Sequence, residues 1–387
     1  MSGAENPKKL LFLIPEDWYV CSHRLPLIEG AIDRGMVVTV VTRVDREKQP
    51  ILDAGAQVIP SRLHRGFSNP VQDLIGFIHL LTIYRRERPD IVHHVTPKSC
   101  LYGSLAARLT GIKNVVNAMA GLGFLYTSST WRARLVRPWV TLAFKLLHFR
   151  SRTRVIVQNN DDGDFFIQNI NLDLQNLVLI RGSGVDTKTF KPVEREPQGK
   201  IRFCLVARMI SEKGLFEVVA AARILQAERQ DLEFVFAGEP DVDNPSGISV
   251  GQLQAWHDEG AITWLGRVSD VAALLNTCHV GLLPSYYREG FPKSLLEAAA
   301  CGLPLLATDA TGCREICQDG VNGVLVPVRD VASVVAAVKL LADDPQLRER
   351  YGRASRRLVE ENFSETIVVE QTMSLYQELL SENAENV

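Results

Sequence analysis

Short apolar runs rich in β-branched residues alternate with amphipathic stretches along the whole chain, and this alternation is its most restrictive feature. Strands that are separated by helices pair in parallel, so the pattern predicts an α/β protein whose parallel sheets are covered by helices on both faces. The predicted strands lie at 10–15, 37–42, 57–59, 91–95, 114–118 and 155–158, and then at 201–207, 233–237, 262–265, 280–284, 305–308 and 324–326.

Two consecutive sets of strands predict two Rossmann-like domains. The length of 387 residues agrees, because domains commonly hold about 100–200 residues. A stretch with glycine, proline and mixed charge at 182–197 marks the junction, so we place the first domain at 1–183 and the second at 184–363. A long helical pattern lies in the remaining segment, 364–387, and we expect this C-terminal helix to cross back to the first domain.

Composition excludes several classes of protein. With 46% hydrophobic and 23% charged residues, the chain is not disordered, collagen-like or a coiled coil. It contains no apolar run near the roughly 18 residues that a membrane-spanning helix needs, and the apolar stretch at 10–14 is too short for a signal-peptide core. Seven cysteines without framework spacing predict reduced thiols, and Cys313 and Cys317 lack the second pair or nearby histidine of a zinc site.

Charge is unevenly divided along the chain. Residues 1–190 carry 24 Lys and Arg against 16 Asp and Glu, whereas the remainder carries 19 against 29. A basic first half that faces an anionic partner is one interpretation of this asymmetry, and chance is the other.

The segment 131–154 carries seven basic residues and no acidic residue. Its large apolar residues fall on one helical stripe, although Pro138 is expected to kink or restart the helix. Two interpretations remain open, which are a membrane-surface helix and a core helix with a basic outer face. In the first, the contacts with lipid would be made by Trp131, Arg132, Arg134, Arg137, Trp139 and Lys145.

The residues after the strand predicted at 280–284 combine several ligand-binding features, because ligands bind outside the carboxyl ends of parallel strands. Glu289 lies in the loop, and Pro292 suits the first turn of the next helix. The N–H groups from Lys293 onward could bind an anion, and Glu297 lies one turn further along the same face. A capped helix with a solvated glutamate is the alternative.

Arg208 and Lys213 bracket a turn after the strand predicted at 201–207, where two fixed cations could hold a diphosphate. Residues 241–243, Asp-Val-Asp, resemble a metal-binding carboxylate pair, but their Pro- and Gly-rich surroundings favour a loop of solvated charges. Residues 160–162, Asn-Asp-Asp, are interpreted as the cap of the next helix. The chain has no Gly-x-Gly-x-x-Gly, the main signal for a nicotinamide enzyme.

Together these strings resemble the retaining, nucleotide-sugar-dependent glycosyltransferases of family 4, which have the GT-B fold of two Rossmann-like domains with a cleft between them. The resemblance rests on residues 207–214, 265–270, 284–297, 301–304, 312–315 and 320–323. It implies a UDP-sugar donor, retention at the anomeric carbon and no catalytic metal, because cationic side chains neutralise the leaving diphosphate instead.

The resemblance also implies roles for individual residues. Arg208 and Lys213 would hold the donor diphosphate, and Glu289 would contact the sugar, so these three are the expected catalytic residues. Glu297 would accept hydrogen bonds from the ribose hydroxyls. Further donor contacts are expected from Arg267, Val268, Gly290, Phe291, Pro292 and Lys293.

The first half resembles a subgroup that acts on undecaprenyl-diphosphate-linked saccharides, including N-acetylgalactosaminyltransferases. The matching strings are 22–26, 97–99, 102–103 and 120–124. The residues expected on the acceptor side are His23, Arg24, His94, Lys98 and Gly121. Two features depart from the family: residues 15–19 replace a common Gly-Gly pair, and 117–120 lacks the histidine that often follows the fifth strand.

The resemblance therefore implies a glycosyltransferase that moves a hexose or N-acetylhexosamine from a UDP-sugar to a polyprenyl-diphosphate-linked saccharide, in the assembly of O-antigen, capsule or glycoprotein glycans. We expect it in the cytoplasm, bound peripherally to an anionic membrane surface, with no cofactor, metal or nucleic-acid partner. Two alternatives stay open: a soluble family member with a small acceptor, and a non-catalytic subunit that binds a nucleotide sugar.

Overall fold

The computed structural model describes residues 6–45, 47–63, 70–121, 131–148, 152–193, 199–241 and 244–381. The chain divides into two compact units. Unit 1 holds residues 1–183 and 366–387, and unit 2 holds residues 184–365.

Unit 1 contains a seven-stranded parallel sheet in the order β3-β2-β1-β4-β5-β6-β7. Its strands are β1 (Lys9–Glu16), β2 (Val37–Arg43), β3 (Gln57–Pro60), β4 (Ile91–Val95), β5 (Asn114–Met119), β6 (Thr153–Val157) and β7 (Leu177–Leu179). Its helices are α1 (Asp17–His23), α2 (Leu25–Asp33), α3 (Lys48–Asp53), α4 (Pro70–Glu87), α5 (Pro97–Thr110), α6 (Trp131–His148) and α7 (Asn160–Phe165). A π-helical turn (Phe166–Ile170) and a 3-10 turn (Leu174–Asn176) precede β7.

Unit 2 contains a six-stranded parallel sheet in the order β10-β9-β8-β11-β12-β13. Its strands are β8 (Ile201–Val206), β9 (Leu232–Ala237), β10 (Thr263–Trp264), β11 (Val280–Leu283), β12 (Leu305–Thr308) and β13 (Gly323–Val326). Its helices are α8 (Leu215–Gln226), α9 (Val250–Asp258), α10 (Val271–Asn276), α11 (Lys293–Ala300), α12 (Cys313–Ile316), α13 (Val331–Asp343) and α14 (Pro345–Asn362). The last helix of the chain is α15 (Glu365–Ser381).

Both sheets are buried on both faces, as the near-continuous apolar strands require. In β1, Leu10 and Phe12 pack into one hydrophobic cluster and Leu11 and Leu13 into another, because successive side chains point to opposite faces. In each sheet, the strands that come first and fourth along the chain lie side by side, and the order of the strands reverses direction between them. These reversals, at β1/β4 and β8/β11, are the places where ligands bind in open α/β sheets.

The predicted α/β class and all the predicted strands are confirmed. The additional strand β7 is only three residues long and lies at the edge of its sheet, where the apolar signal is weakest. Pro138 does not restart the helix, since α6 runs as one element through it. The cap of α7 is Asn159, whose side chain accepts a hydrogen bond from the Asp162 N–H, one residue before the predicted cap.

The C-terminal helix returns to unit 1, as predicted. Buried residues of α15 join the same hydrophobic cluster as Phe12 and Ile28. The contributing residues of α15 are Val368, Met373, Leu375, Tyr376 and Leu379.

The two ends of unit 2 are held side by side. The Val185 N–H donates to the Phe363 carbonyl at 3.1 Å, and the Glu365 N–H donates to the Val185 carbonyl at 3.1 Å. Gly184 has a φ of +73°, and a Cβ there would meet the backbone of Glu365 at 2.6 Å. Only glycine fits this approach, because it combines a positive φ with the absence of a side chain.

Candidate functional site

The two strings predicted to bind a ligand lie next to each other at the β8/β11 switch point of unit 2. The Glu212 carbonyl, in the turn after β8, accepts hydrogen bonds from the Tyr286 N–H at 2.9 Å and from Ser285 Oγ at 3.1 Å. Gly214 has a φ of +80°, and a Cβ there would lie 2.2 Å from the Pro284 carbonyl oxygen. The close approach of the two loops therefore depends on glycine at this position.

Lys213 and Glu289 form a tightly enclosed ion pair between these loops. Lys213 Nζ lies 2.5 Å from Glu289 Oε1, and the two side chains are only 12% and 11% exposed. Ser285 Oγ lies 2.9 Å from the same carboxylate oxygen, so its single proton is shared between this oxygen and the Glu212 carbonyl. Lys213 Nζ lies 5.8 Å from the centre of the Tyr287 ring. The ion pair fixes a cation and a carboxylate at the carboxyl end of the sheet. Charge-assisted hydrogen bonds of this kind are stronger than those between neutral groups.

Arg208, the second predicted cation, forms an ion pair with Asp241. Asp241 lies 33 residues further along the chain, and its side chain is 12% exposed. The interpretation of this residue as part of a solvated loop is therefore wrong, while Val242 and Asp243 lie outside the described residues. The sequence did not single out Ser285, which directly follows a predicted strand, and it considered Asp241 only as a possible metal ligand or solvated charge, not as the partner of Arg208.

The part of the chain that the structure describes contains no group of three or more His, Cys, Asp or Glu side chains that could hold a metal ion. Cys313 and Cys317 are both buried free thiols.

The N-terminus of α11 presents the remaining predicted donor residues. Pro292 is the N-cap rather than a first-turn residue, and its carbonyl accepts the Leu295 N–H at 3.1 Å. Phe291 packs edge-on against Phe363, with ring centroids 5.0 Å apart. Gly290 is buried, and its carbonyl would lie 2.9 Å from a Cβ at Gly312.

Glu297 lies on α11, one turn beyond Lys293. Burial raises the pKa of Glu297 to about 7, the positive charge of Lys293 opposes this, and the negative charge of Glu365 adds to it. Lys293 Nζ lies 3.9 Å from Glu365 Oε1, so the lysine is shared between two carboxylates. The carboxyl group of Glu297 therefore titrates near neutral pH, where binding of a hydroxyl-bearing ligand would be sensitive to protonation.

Arg267 and Val268 lie on the segment after β10. Arg267 is exposed and Val268 is half-buried. Because β9 separates β10 from β8, these residues share the carboxyl edge of the sheet with Arg208 but lie two strands away. They flank the Arg208–Asp241 side of the site rather than the Lys213–Glu289 side, since β10 and β11 lie on opposite sides of β8.

The expected acceptor residues of unit 1 fall into distinct environments. The ring of His23 stacks on Tyr19 with centroids 4.3 Å apart, and the buried Lys98 pairs with Asp73 at 2.6 Å. Arg24 is buried immediately before α2. Gly121 has a φ of +86° and is the last residue described before 122–130.

His94 has a structural environment. It is fully buried, and its ring nitrogens contact Tyr84 Oη at 2.9 Å and Asn117 Oδ1 at 2.7 Å. A Cβ at Gly103 would lie 2.5 Å from the ring, so α5 packs directly against it. With both nitrogens in hydrogen bonds, His94 is held against α5 on a central strand of the sheet and does not face solvent.

The apolar stripe of α6 faces away from the core, which contradicts the core-helix interpretation and leaves the membrane-surface interpretation a prediction. Leu135 and Trp139 are 62% and 73% exposed, and Leu142 and Leu146 are also exposed. The core face of the helix carries Val140 and Phe144 instead. Arg134 is exposed, and Arg137 and Lys145 are half-buried, whereas the side chains of Trp131 and Arg132 lie outside the described residues.

A second exposed apolar stripe lies on α4. Val71, Leu74, Ile75 and Ile78 recur at helical spacing, and all four are exposed. Both α4 and α6 pack beside α5. Across the described ranges, none of the helices has the length and hydropathy needed to cross a membrane.

Each unit of the chain matches a known protein family. Residues 186–358 match the family described as "Glycosyl transferases group 1", and residues 9–159 match "Glycosyl transferase 4-like". The chain is 28% identical to the N,N'-diacetylbacillosaminyl-diphospho-undecaprenol alpha-1,3-N-acetylgalactosaminyltransferase of Campylobacter jejuni, covering 92% of this chain and 95% of the relative.

Two further comparisons agree. The chain is 26% identical to the UDP-Gal:alpha-D-GlcNAc-diphosphoundecaprenol alpha-1,3-galactosyltransferase of Escherichia coli, covering 72% of each chain. Its fold is similar to that of a sucrose-phosphate synthase from Thermosynechococcus elongatus, with a TM-score of 0.79, 18% identity, and coverage of 97% and 100% of the two chains.

We expect Glu297→Gln to raise the free energy of unfolding relative to the wild type, and the gain to grow as the pH rises from 5 to 8. The folded-state pKa of about 7 lies above the usual value for glutamate, so ionisation costs stability as the pH rises between the two values. Urea unfolding at several pH values measures the gain, with the exposed Glu361→Gln as control. A gain that does not vary with pH would contradict the burial of this carboxylate.

Proposed function

Because the chain belongs to the two-domain glycosyltransferases of the group 1 and 4-like kind, we propose that it transfers a hexose or N-acetylhexosamine from a UDP-sugar to a polyprenyl-diphosphate-linked saccharide, with retention at the anomeric carbon. The curated relatives named above act, by their names, on diphospho-undecaprenol-linked saccharides, and one uses UDP-Gal. The observation that carries the proposal is the Lys213–Glu289 pair, held by Ser285 at the β8/β11 switch point.

Binding of the donor diphosphate would exchange the partners of the two cations. In the structure Arg208 is paired with Asp241, and Lys213 with Glu289. A diphosphate between the two loops would compete with both carboxylates for these cations, since Arg and Lys bind phosphate oxygens by charge-assisted hydrogen bonds. Glu289 would then be released from Lys213 at the place where the sugar lies.

The chemistry would depend on electrostatic stabilisation of the leaving group. As the sugar–phosphate bond breaks, negative charge grows on the diphosphate, and fixed cations beside it lower the barrier. The acceptor hydroxyl would attack from the same face, and its proton would pass to the departing phosphate. Double displacement would instead require a nucleophilic carboxylate beside the anomeric carbon, and the resemblance assigns Glu289 to sugar contact.

The surface of unit 1 supports a membrane-associated acceptor. The exposed stripes of α4 and α6 are accompanied by Arg134, Arg137 and Lys145, within a half of the chain that carries a surplus of basic residues. A basic helix with an exposed apolar stripe is typical of elements that lie in the headgroup region of a bilayer. The proposal therefore places the protein on the inner face of the cytoplasmic membrane, at anionic lipid.

We expect Lys213→Ala to lower turnover by about 100-fold or more, because a preorganised charge that stabilises the leaving group is lost. The matched control is Lys339→Ala, which removes a half-buried lysine of unit 2 that pairs with Glu228. Initial rates of transfer from a UDP-sugar to a lipid-linked saccharide are compared, with circular dichroism to verify folding. Normal turnover in Lys213→Ala would rule out its role at the diphosphate.

Loss of the Glu297 carboxylate and loss of the Glu289 carboxylate are expected to affect different steps, which are UDP binding and sugar transfer. Glu297→Ala should mainly weaken UDP binding, since the ribose contact is lost, whereas Glu289→Ala should mainly reduce transfer, since the sugar contact is lost. Calorimetry with UDP alone distinguishes them. Equal loss of UDP affinity in the two variants would show that the division of roles is wrong.

Transfer is expected to persist in excess EDTA, because Arg208 and Lys213 supply the positive charge that a divalent ion would otherwise supply. The measurement is the transfer rate before and after chelation. Loss of activity that manganese restores would overturn this prediction and return Asp241, with Asp243, to consideration as metal ligands.

The protein is expected to co-sediment with anionic liposomes, less with neutral ones and less at high salt. Each basic residue near an anionic surface contributes about 1 kcal/mol, and salt screens the attraction. Replacing Arg134, Arg137 and Lys145 by Glu should abolish co-sedimentation and leave UDP affinity unchanged.

The matched control for this charge reversal lies in unit 2. Arg350, Arg353 and Arg357 are exposed on α14, and their replacement by Glu makes the same change of charge away from the apolar stripes. If the variant with Glu at Arg134, Arg137 and Lys145 binds liposomes normally, α4 becomes the expected membrane contact. If Val71, Leu74, Ile75 and Ile78 could also be replaced by Ser without effect, the membrane proposal would fall.

A further inference from the structure

One buried cation of unit 1 stands apart from the others. Among the described residues of this unit, the buried basic side chains are those of Arg24, Lys98 and Arg154, which are 5%, 8% and 6% exposed. Lys98 pairs with Asp73 at 2.6 Å, and Arg154 pairs with Glu378 at 2.8 Å. Within the described ranges, no carboxylate pairs with Arg24, and its buried Nε atom has no hydrogen-bond partner.

The groups around Arg24 do not neutralise it. Its side chain hydrogen-bonds with Tyr19, and its positive charge acts on Tyr19, His93 and Tyr376, which come from α1, β4 and α15. Burial raises the pKa of both tyrosines and lowers that of His93, so all three side chains are uncharged at neutral pH. The Nε2 atom of His93 is also buried without a hydrogen-bond partner. Arg24 and His93 therefore each keep one buried polar atom without a partner, and no carboxylate of the described residues pairs with the Arg24 charge.

The position of Arg24 in the fold is one that binds anions. Arg24 is the N-cap of α2, a nine-residue helix that runs back toward the start of β2. Because β1 and β2 are parallel, the N-terminus of α2 lies toward the carboxyl end of the sheet, beside the β1/β4 switch point. A helix N-terminus at such a place presents N–H groups, here of Leu25 and Leu27, and favours negative charge.

We propose that Arg24 and the N-terminus of α2 form a binding site for a phosphate or diphosphate group of the acceptor lipid. The assignment to the acceptor rests on the function proposed above, whereas the anion site itself rests on a buried guanidinium that pairs with no carboxylate of the described residues and whose Nε atom has no hydrogen-bond partner. Guanidinium binds phosphate oxygens in a bidentate manner and stays charged at every physiological pH. A buried charge without a partner is costly, so the bound anion would complete an ion pair that the chain leaves unmade.

Two matched substitutions are expected to have opposite effects on the melting temperature of the protein without added ligand. Arg24→Met removes an uncompensated charge, so the melting temperature should stay the same or rise. Lys98→Met leaves the buried Asp73 without its cation, so the melting temperature should fall. Thermal unfolding of both full-length variants provides the comparison. A fall in Arg24→Met as large as that in Lys98→Met would show that Arg24 is a structural residue and overturn the proposal.

Ligand binding is tested with inorganic diphosphate in a protein that carries Arg208→Ala and Lys213→Ala, so that the site in unit 2 does not contribute. Diphosphate should raise the melting temperature of this background. Adding Arg24→Met should weaken diphosphate binding by about 10-fold or more, and Arg24→Lys should retain part of it. Equal diphosphate binding with and without Arg24→Met would overturn the site.

The source of the diphosphate is resolved by two further ligands and by kinetics. In a protein with intact unit 2, Arg24→Met should weaken binding of farnesyl diphosphate and raise the KM for the lipid-linked acceptor, while the Kd for UDP stays unchanged. Loss of UDP affinity instead would assign the anion to the nucleotide and contradict the proposal. If diphosphate binding depends on Arg24 but no lipid-linked saccharide serves as acceptor, the anion site stands and the proposed function fails.

Discussion

The ion pair between Lys213 and Glu289 is the interaction on which the arrangement of unit 2 around its switch point depends. The two residues come from loops 76 positions apart, and they meet because β8 and β11 are neighbours in the sheet. Each partner neutralises the other in a place with little access to water, so the two charges are held together as a pair. Ser285 and the Glu212 carbonyl hold the loops in register, so the pair is positioned by backbone and side chain together.

The fold and the location of this site could be predicted from local pattern. Strands such as β8 and β11 are apolar and bounded by turns, and the strings that follow them carry recognisable cations and carboxylates. The partners of those cations could not be predicted, because they depend on the three-dimensional placement of side chains. Asp241 lay in a stretch that local composition assigned to solvent, yet it pairs with Arg208.

The orientation of α6 shows a second limit of sequence patterns. A stripe of Leu and Trp at helical spacing looks the same whether it faces a sheet or solvent. The structure shows that Val140 and Phe144 face the core and that Trp139 does not, which the periodicity alone could not decide. The same holds for Arg24 and Lys98, since only tertiary contacts distinguish a neutralised buried cation from an unpaired one.

The return of α15 to unit 1 has a consequence for the order in which the chain folds during synthesis. Unit 2 is one continuous segment whose ends are joined by the hydrogen bonds of Val185, so its contacts are complete once Glu365 has been made. Unit 1 must wait for α15, because Tyr376 and Leu379 close the cluster around Phe12 and Ile28. Unit 1 therefore completes its core after unit 2, and its apolar sheet face needs protection from aggregation until α15 has left the ribosome.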